Sequence, residues 1–411
     1  MGRSEARRPE APQAEVRQAE ARWPETRRLV LMGLGPLVLL ALFVALFLAY
    51  GPLGVFQAAF PPVEKLTVDR VTLRPGEMIV AITNGGPQPV TVAQVLVDDA
   101  YWRHEITPDR TVTRLGRATI WIPYPWVAGE PHKIRLLTSS GITIEHEIPV
   151  AVETPRPDGR YLLTFTMLGL YVGVVPIFVG LLWFPFLRRI GRRWLHFFLS
   201  LTGGLLVFLG VDTLVEALEV RNRVPGALQG TGLVTVGVIG TILALTVLVR
   251  RTTRGSIDGP HARLVLAGLI ALGIGLHNLG EGLAIGAAYA LGEVALGTFL
   301  VMGFLLHNTT EGLGIAAPLA IDRPPLAQFI ILGAIAGLPT ILGAWIGGFV
   351  YSPVFATLFL AIGAGAIFQV VYELGRMTVR QAGDELMTIT NFAGFMAGLL
   401  IMYVTGLFVA G

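Results

Sequence analysis

The chain has 411 residues, of which 53% are hydrophobic and only 14% charged, against about 25% charged in a soluble domain. Hydropathy and length together imply a polytopic membrane protein, and with a formal net charge of +3 no nucleic-acid partner is expected. Cysteine is absent, which excludes disulfides, thiolate metal sites and cysteine nucleophiles.

Residues 1–28 form an Arg/Glu-rich tail in which Arg3, Arg7, Arg8, Arg17, Arg22, Arg27 and Arg28 alternate with five glutamates. No apolar face can form there, so no stable structure is expected. The apolar run 29–50 is long enough to cross a bilayer once and reads as a signal anchor, with a cleaved signal peptide as the competing reading. Either way the next segment is exported.

Residues 62–155 change character. VTLRPGEMIVAIT, QPVTVAQVLVDD, RATIWIPYPW, HKIRLLTS and TIEHEIPVAV are short, β-branched and roughly alternating, and Arg-Pro-Gly, Asn-Gly-Gly and Ser-Ser-Gly separate them. This predicts a small all-β, Ig-like antiparallel sandwich of about seven strands. His104, His132 and His146 lie in it without ligand spacing and read as ordinary strand or surface histidines.

Residues 161–411 contain eight apolar segments: 161–187, 194–219, 230–250, 262–291, 294–320, 326–350, 354–376 and 388–410. With the sandwich outside, the inner loops carry eleven arginines and the short outer loops only Arg221 and Arg223. The positive-inside rule then places the N-terminus in the cytoplasm and the sandwich and C-terminus outside. The expected location is the plasma (inner) membrane.

Two of these segments repeat a motif. GLHNLGEGLAIGAA begins at Gly275 and LLHNTTEGLGIAAP at Leu305. On a helix, i and i+4 share a face, so His277 points with Glu281 and His307 with Glu311. Each histidine lies about 20 Å along its own segment, and the two segments run antiparallel, so the pairs should meet near mid-membrane. Two imidazoles and two carboxylates there make four ligands for a divalent metal such as zinc. Asn278 and Asn308 follow each histidine and offer carbonyl oxygens. The bland alternative is hydrogen-bonded glue between helices, but four ionisable groups at matched depth are costly without a partner.

The motifs LHNLGEGLAIG and LHNTTEGLGIAAPL resemble the fourth and fifth transmembrane helices of the ZIP (Zrt/Irt-like) metal transporters. GGLLVFLGVDTLVEAL is similar to the second helix of that family, IAGLPTILGAWIGG to the sixth, IGAGAIFQVVYELGR to the seventh and NFAGFMAGLLIMYVTGL to the eighth. The resemblance covers 161–411 and leaves out the sandwich. It implies an eight-helix metal-transport domain carrying the ion toward the cytoplasm by alternating access. It also implies a first site at His277, Glu281, His307 and Glu311, with Asp212 as a ligand from the second helix and Glu216 one turn further out. A second site in the family uses acidic groups that this chain replaces with Asn308 and Thr340. One main metal is therefore expected, with Asn278 and Asn308 as weak co-ligands at most.

Zinc is the expected cargo, with cadmium, iron or manganese as alternatives, and no cofactor beyond the transported ion is implied. The expected partners are the ion, the lipid bilayer and, left open, a second copy in a homodimer. GxxxG pairs at Gly333/Gly337, Gly343/Gly347 and Gly394/Gly398 suit smooth helix surfaces, and the family suggests that helices one, four, five and six move against the rest. Glu373 reads either as an exit ligand or as the i+3 partner of Arg376, and Asp258 and His261 in a cytoplasmic loop carry little weight. No enzyme is expected. An intramembrane metal-dependent hydrolase needs a spare general base, and HExxH is absent; a metal sensor is the third reading.

Overall fold

The computed structural model describes residues 34–46, 64–252, 259–290, 294–382 and 388–407. The chain divides into two units, 1–62 and 63–411. In the first, the described residues form one apolar helix, α1 (Leu34–Leu46). The expected tail 1–28 and both ends of the expected anchor 29–50 lie outside the described residues.

The second unit opens with nine antiparallel strands: β1 (Leu66–Arg74), β2 (Glu77–Asn84), β3 (Val90–Val97), β4 (Ala100–Tyr101), β5 (Glu105–Thr107), β6 (Thr111–Val112), β7 (Arg117–Ile122), β8 (His132–Thr138) and β9 (Thr143–Ile148). They form two sheets, β1-β2-β7-β5 and β4-β3-β8-β9, with β6 pairing β3. Two of the strands beyond the expected seven, β4 and β6, are only two residues long. Alternation makes the core: Met78, Val80 and Ile82 from β2 and Ala118, Ile120 and Ile122 from β7 face Ile134 and Leu136 from β8.

Where the alternation slips, the ladder bulges. In β3 the buried valines run 90, 92 and then 95, 97, and the register shifts between Val92 and Gln94. In β1 the shift falls between Val68 and Arg70. The extra residue there is Asp69, whose carboxylate accepts the Thr83 hydroxyl. A bulge re-aims the side chains around it, and Arg70 donates to the Phe349 carbonyl on the helical part of the unit.

Among the described residues eight helices follow: α2 (Gly159–Leu187), α3 (Arg192–Val220), α4 (Gly230–Thr252), α5 (Pro260–Ala290), α6 (Val294–Ala316), α7 (Leu326–Val350), α8 (Pro353–Ala382) and α9 (Ile389–Gly406). Seven helices, all but α6 of these eight, are long and apolar enough to cross a membrane. The remaining one, α6, has 23 residues, about 35 Å at 1.5 Å per residue. The chain is a polytopic helical membrane protein with a small antiparallel β region before its bundle.

Glycines show how the helices divide. A Cβ on Gly343 of α7 would lie 2.1 Å from the Leu279 carbonyl oxygen of α5, and one on Gly282 of α5 would lie 2.1 Å from the Thr340 oxygen of α7. Similar backbone contact joins α2 to α6, where a Cβ on Gly180 would lie 2.1 Å from the Thr309 oxygen, and α3 to α9, where one on Gly204 would lie 2.1 Å from the Phe395 oxygen. Gly365 of α8 meets the Val238 oxygen of α4 at 2.5 Å. Two sets emerge, α2/α5/α6/α7 and α3/α4/α8/α9. Between them the approach is mixed: a Cβ on Gly273 of α5 would meet the Val370 methyl of α8 at 3.5 Å and one on Gly314 of α6 the Thr202 methyl of α3 at 3.2 Å, while one on Gly363 of α8 would lie 3.3 Å from the Leu276 carbonyl oxygen and one on Gly280 of α5 would lie 2.6 Å from a Leu360 methyl of α8.

The sandwich meets the bundle at β1 and β9, the edge strands on one side of the two sheets. Edge strands need cover. Here a cavity of about 400 Å3 separates them from Arg223, Ala287, Ala290, Gly347 and Tyr351 at the helix ends. His146 lines it, and burial first, then the nearby Arg223 charge, holds the imidazole below its ordinary value of 6.5.

Two outcomes follow from this packing. Gly343→Ala should destabilise the detergent-solubilised protein by about 1–3 kcal/mol in thermal unfolding, because backbone must shift to admit the methyl. Gly273→Ala, which meets ordinary contact, should be neutral or stabilising by up to about 1 kcal/mol. For His146, the unfolded chain takes up a proton at higher pH than the folded chain does, so folding stability falls as pH drops through 6.5. Thermal unfolding at pH 7.5 and pH 5.5 should show a smaller acid loss in His146→Gln than in the wild type; equal losses would sink this account.

A candidate metal centre between two helices

The helical period puts His277 and Glu281 on one face of α5 and His307 and Glu311 on one face of α6. The structure brings all four together. His277 Nε2 lies 3.2 Å from Glu281 Oε1, His307 Nε2 bonds the same oxygen, and the two imidazole centroids are 6.2 Å apart. One ligand atom each from His277, His307 and Glu311 lie within 4.8 Å of one another. Donor atoms on a tetrahedral zinc sit about 3.4 Å apart, given bonds of about 2.0–2.1 Å. Small side-chain rotations would close the difference.

The four residues are at most 5% exposed. Neither Glu311 oxygen has a hydrogen bond of acceptable geometry, although the Asn278 amide lies beside it. A carboxylate buried without donors loses its hydration and gains nothing in return. A cation at this point reverses that balance and turns the carboxylate into a ligand.

Around the four, neighbouring groups set orientation. The Thr213 hydroxyl of α3 donates to the Leu209 carbonyl at 2.7 Å and also lies 2.7 Å from His277 Nδ1. With its only proton given to Leu209, the hydroxyl accepts from Nδ1–H, and the Nε2 lone pair is left facing the cluster. Asn308 donates to Glu281 Oε2 at 3.0 Å and to the Val172 carbonyl at 3.0 Å. Val172 lies in a π-helical turn, Leu170–Val174, where the widened ladder frees carbonyls. Asn278 donates to the Ala336 carbonyl at 3.1 Å, just before Pro339, which interrupts the ladder of α7. Both amides are thereby fixed with their oxygens unpartnered, and the buried Thr340 hydroxyl is unpartnered as well.

Asp212 does not join the cluster. It is exposed on α3, and its neighbour Thr213 turns inward instead, because successive residues on a helix point about 100° apart. Glu216, half-buried, lies within electrostatic reach of His277 and Glu281. The inward face of α3 was marked in the sequence by the stripe Leu209, Thr213, Ala217, all buried; alignment to the acidic residue pulled the reading one position off that stripe.

The remaining polar candidates stand apart. Glu373 of α8 is paired with Arg376 at 3.2 Å and touches Gln369 at 3.4 Å. His261 is exposed at the start of α5, with Nε2 3.4 Å from the Thr252 carbonyl, and Asp258 lies outside the described residues. In the sandwich, His132 Nδ1 bonds Asp98 at 2.7 Å and His104 Nδ1 bonds the Trp102 carbonyl at 3.1 Å. Among the described residues His277, His307 and Glu311 are the one such metal-type group.

The geometry separates Thr213 from Asp212 experimentally. Thr213→Val keeps the shape of the side chain but removes the acceptor for His277 Nδ1–H. Zinc affinity of the purified protein, read by competition with a chromophoric chelator, should fall about 10–100-fold. Asp212→Asn should change it less than about twofold on the same reading of that shell; a larger loss in Asp212→Asn than in Thr213→Val would place the ligand at Asp212 after all.

No protein-family model matches the chain, and no curated protein matches it at a significant level.

Proposed function

We propose that the chain carries divalent metal ions, zinc foremost, across the membrane toward the cytoplasm, as a ZIP-type transporter. The observation that carries this reading is the convergence of His277, Glu281, His307 and Glu311 from two i,i+4 pairs on adjacent apolar helices, with only the Asn278 amide beside Glu311. Imidazole and carboxylate without thiolate suit zinc, cadmium, ferrous iron and manganese better than cuprous copper.

A transporter must hold the ion and also release it, which alternating access achieves by exposing one site to each side in turn. The two helix sets support that reading. All four ligands sit on α5 and α6, in the set that also holds α2 and α7, so the ligands travel together. The looser seam runs between this set and α3, where a Cβ on Gly314 would meet only the Thr202 side chain. The hydrogen bond that orients His277 crosses the seam to Thr213, so sliding along it would release the imidazole from its held tautomer and lower affinity. The arginine distribution and the family resemblance give the inward direction.

The test is zinc-65 uptake into proteoliposomes holding wild type or His277→Ala/Glu311→Ala protein, with an external impermeant chelator added before counting. Wild-type accumulation lost in the double variant is the expected outcome. Metal retained stoichiometrically on the protein, with no lumenal accumulation, would overturn transport and bring the hydrolase and sensor readings forward.

A further inference from the structure

The sandwich meets both helix sets, and it holds them by different means. To the set that carries the His/Glu cluster it is bonded. The bulge in β1 aims Arg70 at α7, and the guanidinium donates to the Phe349 carbonyl. That carbonyl is among the last four of the helix, which lack a donor inside it. The last turn of α7 carries no basic residue of its own, so Arg70 supplies the positive charge favoured at a helix C-terminus. The chain itself is a second tie. Beyond β9, Ala151 bonds Gly129 and Glu130 at 2.9 Å each, and Thr154 bonds Leu73 at 2.9 and 3.0 Å. Only residues 155–158 then separate Thr154 from the start of α2 at Gly159.

The meeting with the other set is steric. A Cβ on Gly85, in the turn after β2, would lie 3.3 Å from Pro225 Cβ and 3.3 Å from the Gly226 nitrogen, and one on Gly226 would lie 3.2 Å from Lys65 Nζ. Pro225 and Gly226 belong to the connection between α3 and α4, where Pro225 is buried while Arg223 and Gly226 are exposed. The turn that meets them is stiff. Asn84, at 0% exposure, accepts from the Gly86 N–H at 2.8 Å and donates to the Gln88 and Val112 carbonyls at 2.7 and 2.8 Å. The Gly85 N–H donates to the Lys65 carbonyl at 2.8 Å.

A contact of this kind resists one direction of movement. Bringing the sandwich closer to the α3–α4 connection drives Gly85 into Pro225, whereas drawing it away costs only dispersion contact. The sandwich is bonded to α7 and continuous with α2, so it follows the α2/α5/α6/α7 set when packed bodies slide past one another. Displacement of that set toward the far end of the bundle therefore pulls the sandwich onto the connection. Displacement the other way lifts it off.

We propose that the sandwich rides with the α2/α5/α6/α7 set and is its end stop, with Gly85 against Pro225 fixing how far that set travels away from the sandwich. In the orientation implied by the arginines, this is the limit of inward travel, and the structure stands at it. The inference rests on the alternating-access reading given above.

The full-length protein has no cysteine, so labels and cross-links can be placed one pair at a time. Spin labels at Gln88→Cys with Leu342→Cys span sandwich and α7; Gln88→Cys with Val236→Cys span sandwich and α4; all three sites are exposed. Electron–electron resonance on zinc-loaded and chelated samples should give one unchanging distance for the α7 pair and two for the α4 pair. A changing α7 distance, or a single α4 distance in both samples, overturns the proposal. The second experiment is the pair Gly85→Cys/Pro225→Cys, whose Cβ atoms would lie 3.3 Å apart, against about 3.8 Å in a disulfide. Oxidation should abolish zinc-65 uptake and a reductant should restore it, with zinc binding unchanged as a check on folding. Full uptake by the oxidised protein overturns the stop. If the reduced protein shows no uptake, transport itself has fallen, and the two distances alone decide the proposal.

Discussion

The molecule is organised by the cost of burying charge. His277, Glu281, His307 and Glu311 sit inside a helical bundle where neither water nor solvent-exposed counterions reach them, and an ionised carboxylate without partners is costly there. Glu281 is compensated by the His307 imidazole and the Asn308 amide. Glu311 is not compensated by any such bond. That asymmetry is what a chain-supplied hydrogen-bond network would avoid and what a cation would resolve. A structural glue role needs each group satisfied by the chain itself, and the unpartnered oxygens of Asn278, Asn308, Glu311 and Thr340 speak against it.

The surrounding architecture follows from holding those groups still. Each amide beside a ligand is anchored to a backbone carbonyl next to an irregularity in a neighbouring helix: Asn308 in the π-helical turn of α2, and Asn278 one turn before Pro339 in α7. Regular helices offer no spare carbonyls in their interior. The π-helical turn looks like a defect in isolation, yet it supplies the acceptor that fixes Asn308, whereas Asn278 bonds the Ala336 carbonyl, next to the Ile335 carbonyl that Pro339 leaves without its helix donor. Close backbone approach at Gly282 and Gly343, where an added Cβ would lie 2.1 Å from a carbonyl oxygen of the other helix, then holds α5 against α7 so that these bonds keep their register. Near the start of α5, Arg263 grips Asp322, just beyond α6, through two bonds of 2.6 and 2.7 Å, tying together the two helices that carry the His/Glu cluster.

What could be read in the sequence depended on the range of the physics involved. The long apolar segments set the helices to within a few residues, since burial of a whole span is a sum over many side chains. The i,i+4 spacing put each His with its Glu, because that is local helical geometry. The slipped alternation in β3 was visible as valines at 90, 92, 95 and 97, although a bulge there becomes certain only with the ladder in view. The contact to His277 from α3 was missed by one residue. An acidic side chain at Asp212 drew the reading by its chemistry, whereas the face of α3 is set by the stripe of Leu209, Thr213 and Ala217. The π-helical turn in LYVGV has no marker in its composition, because it arises from how α2 meets α6 and α7.

The contrast between helix contacts ties the site to any motion the molecule makes. Where two backbones touch, sliding by even part of a residue drives a carbonyl into a Cα, so α5, α6, α7 and α2 resist relative movement. Between α6 and α3 a Cβ on Gly314 would face only the Thr202 side chain, at 3.2 Å, which can rotate aside, so the same displacement meets less resistance there. The site lies along this softer seam: its four ligands belong to one side, while Thr213, which orients His277, belongs to the other. A shift along the seam would leave the His/Glu cluster whole and alter the group that holds the His277 tautomer. For an ion held there, affinity would then be coupled to the relative position of the two helix sets by that hydrogen bond, without a change in the cluster itself.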